Sequence, residues 1–316
     1  MAKLLVVDPL LTTPEFGVGP GWLGSEHEVI TPGSYDVDDL APLLADAAVL
    51  LTAHYPVTAQ MLAHTRGLGL VAKPGAGVDN IDVAAATQRG VVVTNVPGAR
   101  GRAVAEHAMF MLLYLVRHAW MRGDPAWKGT SGLQLGGKTL GIVGYGDIGT
   151  KLVRMGAGFD MRVLVHSRTA DPTRTPDVEV TFVDRDELYR RSDALILCMP
   201  LTPQTQAMID EKALRAMKPT AILVNVSRGP AVVTDDLLTV MSQGHLHSAG
   251  LDVTDPEPLP SDHGLWHLPN VLISPHNAGR TRESQQAALS RMRENVETFL
   301  DGGRPPDQVS SSGPSA

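Results

Sequence analysis

The chain has 316 residues, 43% of them hydrophobic and 19% charged, with a net charge of -7. That length suits two domains, and the composition is that of an ordinary globular protein able to bury a sizeable core. The acidic balance argues against a nucleic-acid partner, which needs a basic face, and no uncharged apolar stretch is long enough to span a bilayer.

From the N-terminus, residues 4–7 read as a strand that stops at Asp8 and Pro9. The run is too short for a signal peptide, so a cytoplasmic protein is expected. Further apolar runs at 49–52, 68–72 and 91–96 alternate with helical patterns such as 38–47 and 82–89. Strands alternating with helices predict parallel pairing, and unbroken apolar runs predict strands covered on both faces. A boundary is expected near Pro97-Gly98. Residues 103–116 then form a helix that is apolar nearly all round, with Glu106 near its start and Arg117 and His118 at its end. That charge order suits the helix dipole, and the apolar surface predicts burial against a second copy of the chain. A Gly-rich loop over 123–137 follows, with Asp124-Pro125 as a stop. Strands are predicted at 139–143, 162–165, 194–198, 221–225 and 271–274, and a last helix over 282–300. The tail 304–316, rich in Pro, Ser and Gly, reads as disordered. The single cysteine, Cys198, lies in an apolar run and can form neither an internal disulfide nor a metal site alone; no metal is expected.

The segment that carries chemistry first is Gly144-Tyr145-Gly146-Asp147-Ile148-Gly149, preceded by an apolar strand and followed by a helical pattern. In that context Gly144 permits a tight turn, Gly146 lets the backbone approach a pyrophosphate, and Gly149 lets helix pack on strand. The free N–H groups of the helix start then bind the pyrophosphate. Where NAD sites carry Asp or Glu for the ribose hydroxyls, this chain has Ser167-Arg168-Thr169, and no carboxylate follows until Asp171. Arg168 can pair with a 2′-phosphate while the two hydroxyls donate hydrogen bonds. NADP is therefore the expected cofactor, with NAD as the alternative, in which Arg168 only stacks on adenine.

Three motifs follow in order: Asn225-Val226-Ser227-Arg228-Gly229, Leu251-Asp252 through Glu257-Pro258, and Pro275-His276-Asn277-Ala278-Gly279. With the dinucleotide turn, Gly77-Val78-Asp79-Asn80 and Val104-Ala105-Glu106-His107, they resemble the D-isomer-specific 2-hydroxyacid dehydrogenase family over nearly the whole chain. Within it, the resemblance points to hydroxypyruvate or glyoxylate reductases and to phosphoglycerate dehydrogenase-like members. It implies two doubly wound α/β domains: a flavodoxin-like substrate domain, 1–98 plus 286–316, and a Rossmann NAD(P) domain, 99–285. It implies hydride transfer between nicotinamide and a small 2-keto or 2-hydroxy acid; the apolar helix over 103–116 predicts a homodimer. His276 is implied as the acid and base, a role suited to a group that titrates near neutrality. Glu257 is implied as its carboxylate partner, with Asp255 as a competitor nearby. Arg228 is implied to polarise the keto oxygen and hold the substrate carboxylate. Ala76, Gly77 and Val78 are implied to bind that carboxylate through backbone N–H groups. Pro200, Thr205, Val226, Asp252 and Gly279 are implied around the cofactor, Asp252 at the nicotinamide amide.

The chain departs from the family over Ala99-Arg100-Gly101-Arg102, where a small polar pattern with Asn is usual, and at Asn277, where an apolar residue is common. Arg100 and Lys73 raise a second-anion substrate as an alternative to simple surface charge. Phosphoglycerate or phosphite oxidation is the rival enzymatic reading. Formate-oxidising relatives carry Gln where Glu257 stands, which argues against that branch. A dinucleotide-sensing binding protein is the rival from another class; the presence of Arg228, Glu257 and His276 together favours an enzyme.

Overall fold

In a computed structural model, which describes residues 1–117 and 131–309, strands and helices alternate along the chain. They run β1 (Lys3–Val6), β2 (Glu28–Ile30), α1 (Val37–Asp46), β3 (Val49–Leu51), α2 (Ala59–Ala63), β4 (Leu70–Ala72), α3 (Val83–Gln88), β5 (Val92–Thr94) and α4 (Gly101–Val116). After the undescribed residues come β6 (Thr139–Val143), α5 (Asp147–Gly158), β7 (Arg162–His166), β8 (Thr181–Phe182), α6 (Arg185–Arg191), β9 (Ala194–Leu197) and α7 (Glu211–Ala216). The chain closes with β10 (Ile222–Asn225), α8 (Thr234–Ser242), β11 (Ser248–Leu251), β12 (Val271–Ile273) and α9 (Arg282–Leu300). Most of the expected loop 123–137, with its Asp124-Pro125 stop, lies outside the described residues. Among the described residues, no helix is long and apolar enough to cross a membrane.

The chain divides into two units, Met1–Arg100 with Arg280–Ala316, and Gly101–Gly279. Sequence placed the divisions at 98/99 and 285/286. The second one falls earlier because Thr281 caps α9 through the Ser284 N–H, with a reciprocal bond from Ser284, so the whole helix belongs to the first unit.

The first unit is a five-stranded parallel sheet in the order β2-β1-β3-β4-β5. Side chains alternate across it. Leu5, Val7, Leu50, Val71 and Val93 bury against Leu40, Leu44, Met61 and Leu62 of α1 and α2. Leu4, Val6, Val49, Leu51 and Leu70 bury against Ala288, Met292 and Val296 of α9. Helix and sheet approach closely at Gly69, where a Cβ would lie 2.5 Å from the Phe299 ring. Disorder from residue 304 onward is corrected over 304–309. There the chain runs beside the open edge of β5, with Val309 N–H donating to the Val93 carbonyl at 2.8 Å. The Asp307 carboxylate is gripped by Arg291 at 2.6 and 3.2 Å. Residues 310–316 lie outside the described residues.

The second unit is a seven-stranded parallel sheet in the order β12-β11-β10-β9-β6-β7-β8. Leu140, Ile142, Val163, Val165 and Ile196 pack on α4 and α5 through Met111, Leu112, Leu152 and Val153. Leu195, Leu197, Leu223 and Leu251 pack on α6, α7 and α8 through Leu188, Leu214, Leu237 and Val240. The direction of strand addition reverses between β6 and β9. In open parallel sheets that reversal leaves a crevice at the carboxyl ends of the strands, where ligands bind.

Candidate active site

The dinucleotide turn joins β6 to α5 at that crevice. Gly144 has a φ of 104°, a left-handed value that glycine adopts without strain. A Cβ on Gly149 would lie 2.2 Å from the Gly144 carbonyl oxygen, so only glycine lets α5 start this close to the strand. A Cβ on Gly146 would meet nothing within 4 Å: that position faces open space. No side chain caps the α5 N-terminus at Gly146, so its first N–H groups, among them those of Asp147 and Ile148, face that space. The geometry fits a dinucleotide pyrophosphate. The Asp147 carboxylate is taken up by Lys151 one turn along, which leaves its backbone as the part suited to the ligand.

The other sequence-selected cofactor residues sit at the same edge of the sheet. Ser167, Arg168 and Thr169 follow β7. Pro200 and Thr205 follow β9, where Thr205 Oγ1 donates to the Pro200 carbonyl at 2.8 Å. Val226 follows β10, Asp252 follows β11, and Gly279 lies beyond β12. Arg168 is exposed, and among the described residues it makes no hydrogen bond or ion pair. Asp171, the nearest following carboxylate, instead accepts from the Thr173 N–H at 3.0 Å and lies 3.7 Å from Arg174. Cys198 ends the β9 segment beneath the turn, with Sγ 3.3 Å from the Val143 carbonyl; burial pushes the thiol up to about 12.

Three loops carry the proposed acid–base chemistry. The first is held by Asn225, fully buried, which accepts from the Ser227 N–H at 3.0 Å and Ser227 Oγ at 2.7 Å and donates to the Arg228 carbonyl at 3.0 Å. This fixes the turn from which Arg228 projects. A Cβ on Gly229 would lie 1.8 Å from the Thr254 carbonyl oxygen, so the Arg228 turn rests directly on the segment leading to Glu257. On the third loop, His276 Nδ1 lies 2.6 Å from Glu257 Oε1. Glu257 rather than Asp255 is therefore the carboxylate at the imidazole.

His276 itself has a φ of 49°, unusual for a residue with a side chain. Asp252, only 2% exposed, braces this segment. Its carbonyl accepts from the His276 N–H at 2.9 Å. Its carboxylate accepts from the Asn277 N–H at 2.9 Å, the Ala278 N–H at 3.0 Å and Ser274 Oγ at 2.6 Å. The sequence reading missed two residues behind this brace. Ser274 Oγ is also 3.0 Å from His107 Nε2, and His107 lies 3.6 Å from the Asp252 carboxylate. Burial holds the His107 imidazole below its usual pKa, against the opposing pull of Asp252. The signal available in sequence was the Glu106-His107 pair, which has no evident task until the strands are folded together. Asn277 Oδ1 is buried without a hydrogen bond among the described residues.

In the first unit, Ala76, Gly77 and Val78 form the bend after β4. The Ala76 carbonyl is held by Asn95 Nδ2 at 2.6 Å and the Gly75 carbonyl by the Val96 N–H at 2.9 Å. Among the described residues no backbone bond uses the N–H groups of residues 76–78. Consecutive unbonded N–H groups of this kind make an anion-binding concavity.

Residues 109–278 match the family model of the D-isomer specific 2-hydroxyacid dehydrogenase NAD binding domain. A glyoxylate reductase of Pyrococcus furiosus is 37% identical over 287 residues, covering 87% of this chain and 82% of its own. A D-3-phosphoglycerate dehydrogenase of Mycobacterium bovis is 35% identical over 303 residues, covering 92% of this chain and 56% of the longer relative. The crystal structure of a glyoxylate reductase from Paecilomyes thermophila superimposes with a TM-score of 0.88 at 26% identity, over 98% of this chain and 99% of the other.

Proposed function

The chain belongs to the D-isomer specific 2-hydroxyacid dehydrogenase family, and on that premise we propose that it reduces a small 2-keto acid, of the glyoxylate or hydroxypyruvate kind, to the D-2-hydroxy acid. The observation that carries this reading is the 2.6 Å contact between His276 Nδ1 and Glu257 Oε1. The carboxylate at Nδ1 orients the ring, and in this reading Nε2 is the nitrogen that serves the substrate. When bound, the nicotinamide supplies the hydride that adds to the keto carbon. His276 gives a proton from Nε2 to the keto oxygen as the alcohol forms, and takes one back in the reverse direction. Glu257 fixes the ring's orientation and offsets the positive charge it carries as the acid. Arg228 polarises the keto oxygen and meets the substrate carboxylate. In the same reading the first unit's Ala76, Gly77 and Val78 offer N–H groups suited to a substrate carboxylate. Gly144, Gly146, Asp147, Ile148 and Gly149 take the pyrophosphate through backbone groups. Pro200, Thr205, Val226 and Gly279 line the cofactor, and Asp252 acts on it through the 276–278 backbone.

NADP is the preferred cofactor in this reading. Arg168 is exposed and uncommitted among the described residues, and Asp171 is turned away to Thr173 and Arg174. A 2′-phosphate therefore meets a cation and no competing carboxylate. Steady-state kcat/KM for glyoxylate reduction is expected to be higher with NADPH than with NADH. Arg168→Ala is expected to lower the NADPH value about tenfold or more, the loss of a charge-assisted hydrogen bond, and to change the NADH value little. A wild-type preference for NADH would reject the NADP assignment.

The same reading includes a homodimer. The outer side of α4 exposes Phe110 at 52%, beside Leu113, Tyr114, Met155 and Phe159. An apolar patch of aromatic and Met side chains is the composition of an interface core.

A further inference from the structure

Arg100 is a largely buried cation in the first unit, and its Nε is buried with no hydrogen-bond partner among the described residues. No ion pair within the described residues engages its guanidinium; the Phe16 ring lies below it, 6.0 Å from centroid to Cζ. Burial and the charge of nearby Arg280 both push its pKa down, and Glu15 pulls the other way. A guanidinium nevertheless stays charged in proteins.

Among the described residues Glu15 is the one acid acting on this group, and it is already committed. One of its oxygens accepts from Gln285 Nε2, and the other lies 2.8 Å from Arg280 Nη2. Glu15 is thereby spent on Arg280 and Gln285 and acts on Arg100 only at longer range, so the cluster keeps a net positive charge at Arg100. A buried charge without a partner is costly, and removing it from water is offset only by an opposite charge or hydrogen bonds. Lys73, the other cation singled out in sequence, differs. It is buried, its Nζ donates to Asn80 Oδ1, and Asn80 in turn donates to the Tyr55 carbonyl. Lys73 is thereby part of the internal packing, whereas Arg100 has five donors and, among the described residues, no hydrogen-bond acceptor.

The position of Arg100 says which anion it meets. It stands shortly after β5, whose end holds the 75–76 bend through Val96 and Asn95. That bend carries the N–H groups assigned above to the substrate's C1 carboxylate. We propose that Arg100 is a specificity-determining residue that binds a second anionic group, a carboxylate or a phosphate, at the far end of the 2-keto acid from its C1 carboxylate. The inference rests on the 2-keto acid reductase reading and, within that substrate class, places dianions above monoanions such as glyoxylate and hydroxypyruvate. The Phe16 ring, 6.0 Å from Cζ, adds a cation–π contact and supplies no hydrogen-bond acceptor.

The test compares matched substrates on the purified full chain with NADPH. Oxaloacetate is paired with 2-oxobutanoate, which ends in a methyl group, and phosphohydroxypyruvate with hydroxypyruvate; glyoxylate, with no far end, is the reference. In at least one pair the dianion is expected to have a kcat/KM about tenfold or more above its counterpart, as a charge-assisted bidentate contact implies. The pair that responds tells carboxylate from phosphate. Arg100→Gln is expected to collapse that ratio, chiefly through KM, and Arg100→Lys to restore part of it. Ratios near one in both wild-type pairs would overturn the proposal, as would a ratio that survives Arg100→Gln. If Arg100→Gln does not fold, the wild-type ratios decide alone. Glyoxylate turnover with ratios near one sinks this inference only, whereas no turnover of any 2-keto acid sinks the reductase reading and this inference with it.

Discussion

His276 is held in a left-handed backbone conformation that costs roughly 1–2 kcal/mol for a residue with a Cβ. Asp252 offsets that cost with one backbone and two carboxylate hydrogen bonds to residues 276–278. His107 stands behind Asp252 and Ser274, and its burial sets a pH dependence with a definite sign. Its folded pKa lies below the unfolded value of about 6.5. Above that value both states are neutral at this site and it contributes nothing. As pH falls through about 6.5 the unfolded chain takes up the proton first, so stability drops until the folded pKa is passed. Urea denaturation at pH 7.5 and 5.5 checks this. The wild type is expected to lose more stability between the two than His107→Gln does, and equal losses would contradict it. At this scale, Arg228, Glu257 and His276 were legible because each lies in a short motif. The preference for Glu257 over Asp255 rested on the resemblance alone, since both fall in one Pro-rich turn, and the fold puts Glu257 at the imidazole.

At the level of elements, the strands that were legible are runs of Val, Ile and Leu buried on both faces, such as β6 and β10. The missed ones break that pattern for physical reasons. β2 is a three-residue edge strand with an exposed glutamate, and β8 has two residues. β11 reads Ser248-Ala249-Gly250-Leu251, small because α4 lies on it: a Cβ at Gly250 would stand 3.2 Å from Leu115 and 3.3 Å from Met111. α2 spans five residues, too few for a helical period to register. The helix α4 was legible as apolar nearly all round, and its two sides now separate. Met111, Leu112 and Leu115 are buried in the second unit, and Phe110 is left exposed. Sedimentation is expected to give a dimer for the wild type and a monomer for Phe110→Asp, because a carboxylate at the centre of an apolar interface loses its hydration without gaining a partner. A monomeric wild type would contradict the proposed assembly.

Across the whole molecule, the strand order explains why residues scattered over 144–279 come to the same end of one sheet. All seven strands of the second sheet are parallel, so every strand-end loop emerges on the same side. The order of motifs along the chain made this legible in advance, as did alternating strands and helices. What stayed hidden depends on pairs remote in sequence. The Glu15–Arg280 bridge joins the loop after β1 to the residues before α9, and the tail's docking on β5 depends on Asp307 meeting Arg291. Neither has a local pattern to announce it. The central claim is that His276, held by Glu257 and Asp252, moves the proton in 2-keto acid reduction. Steady-state NADPH oxidation with glyoxylate by His276→Ala, set beside NADPH binding to the same variant, tests it most directly. The account predicts a kcat lower by about 10²–10⁴-fold with cofactor affinity nearly unchanged, and a variant that keeps its wild-type kcat would contradict it.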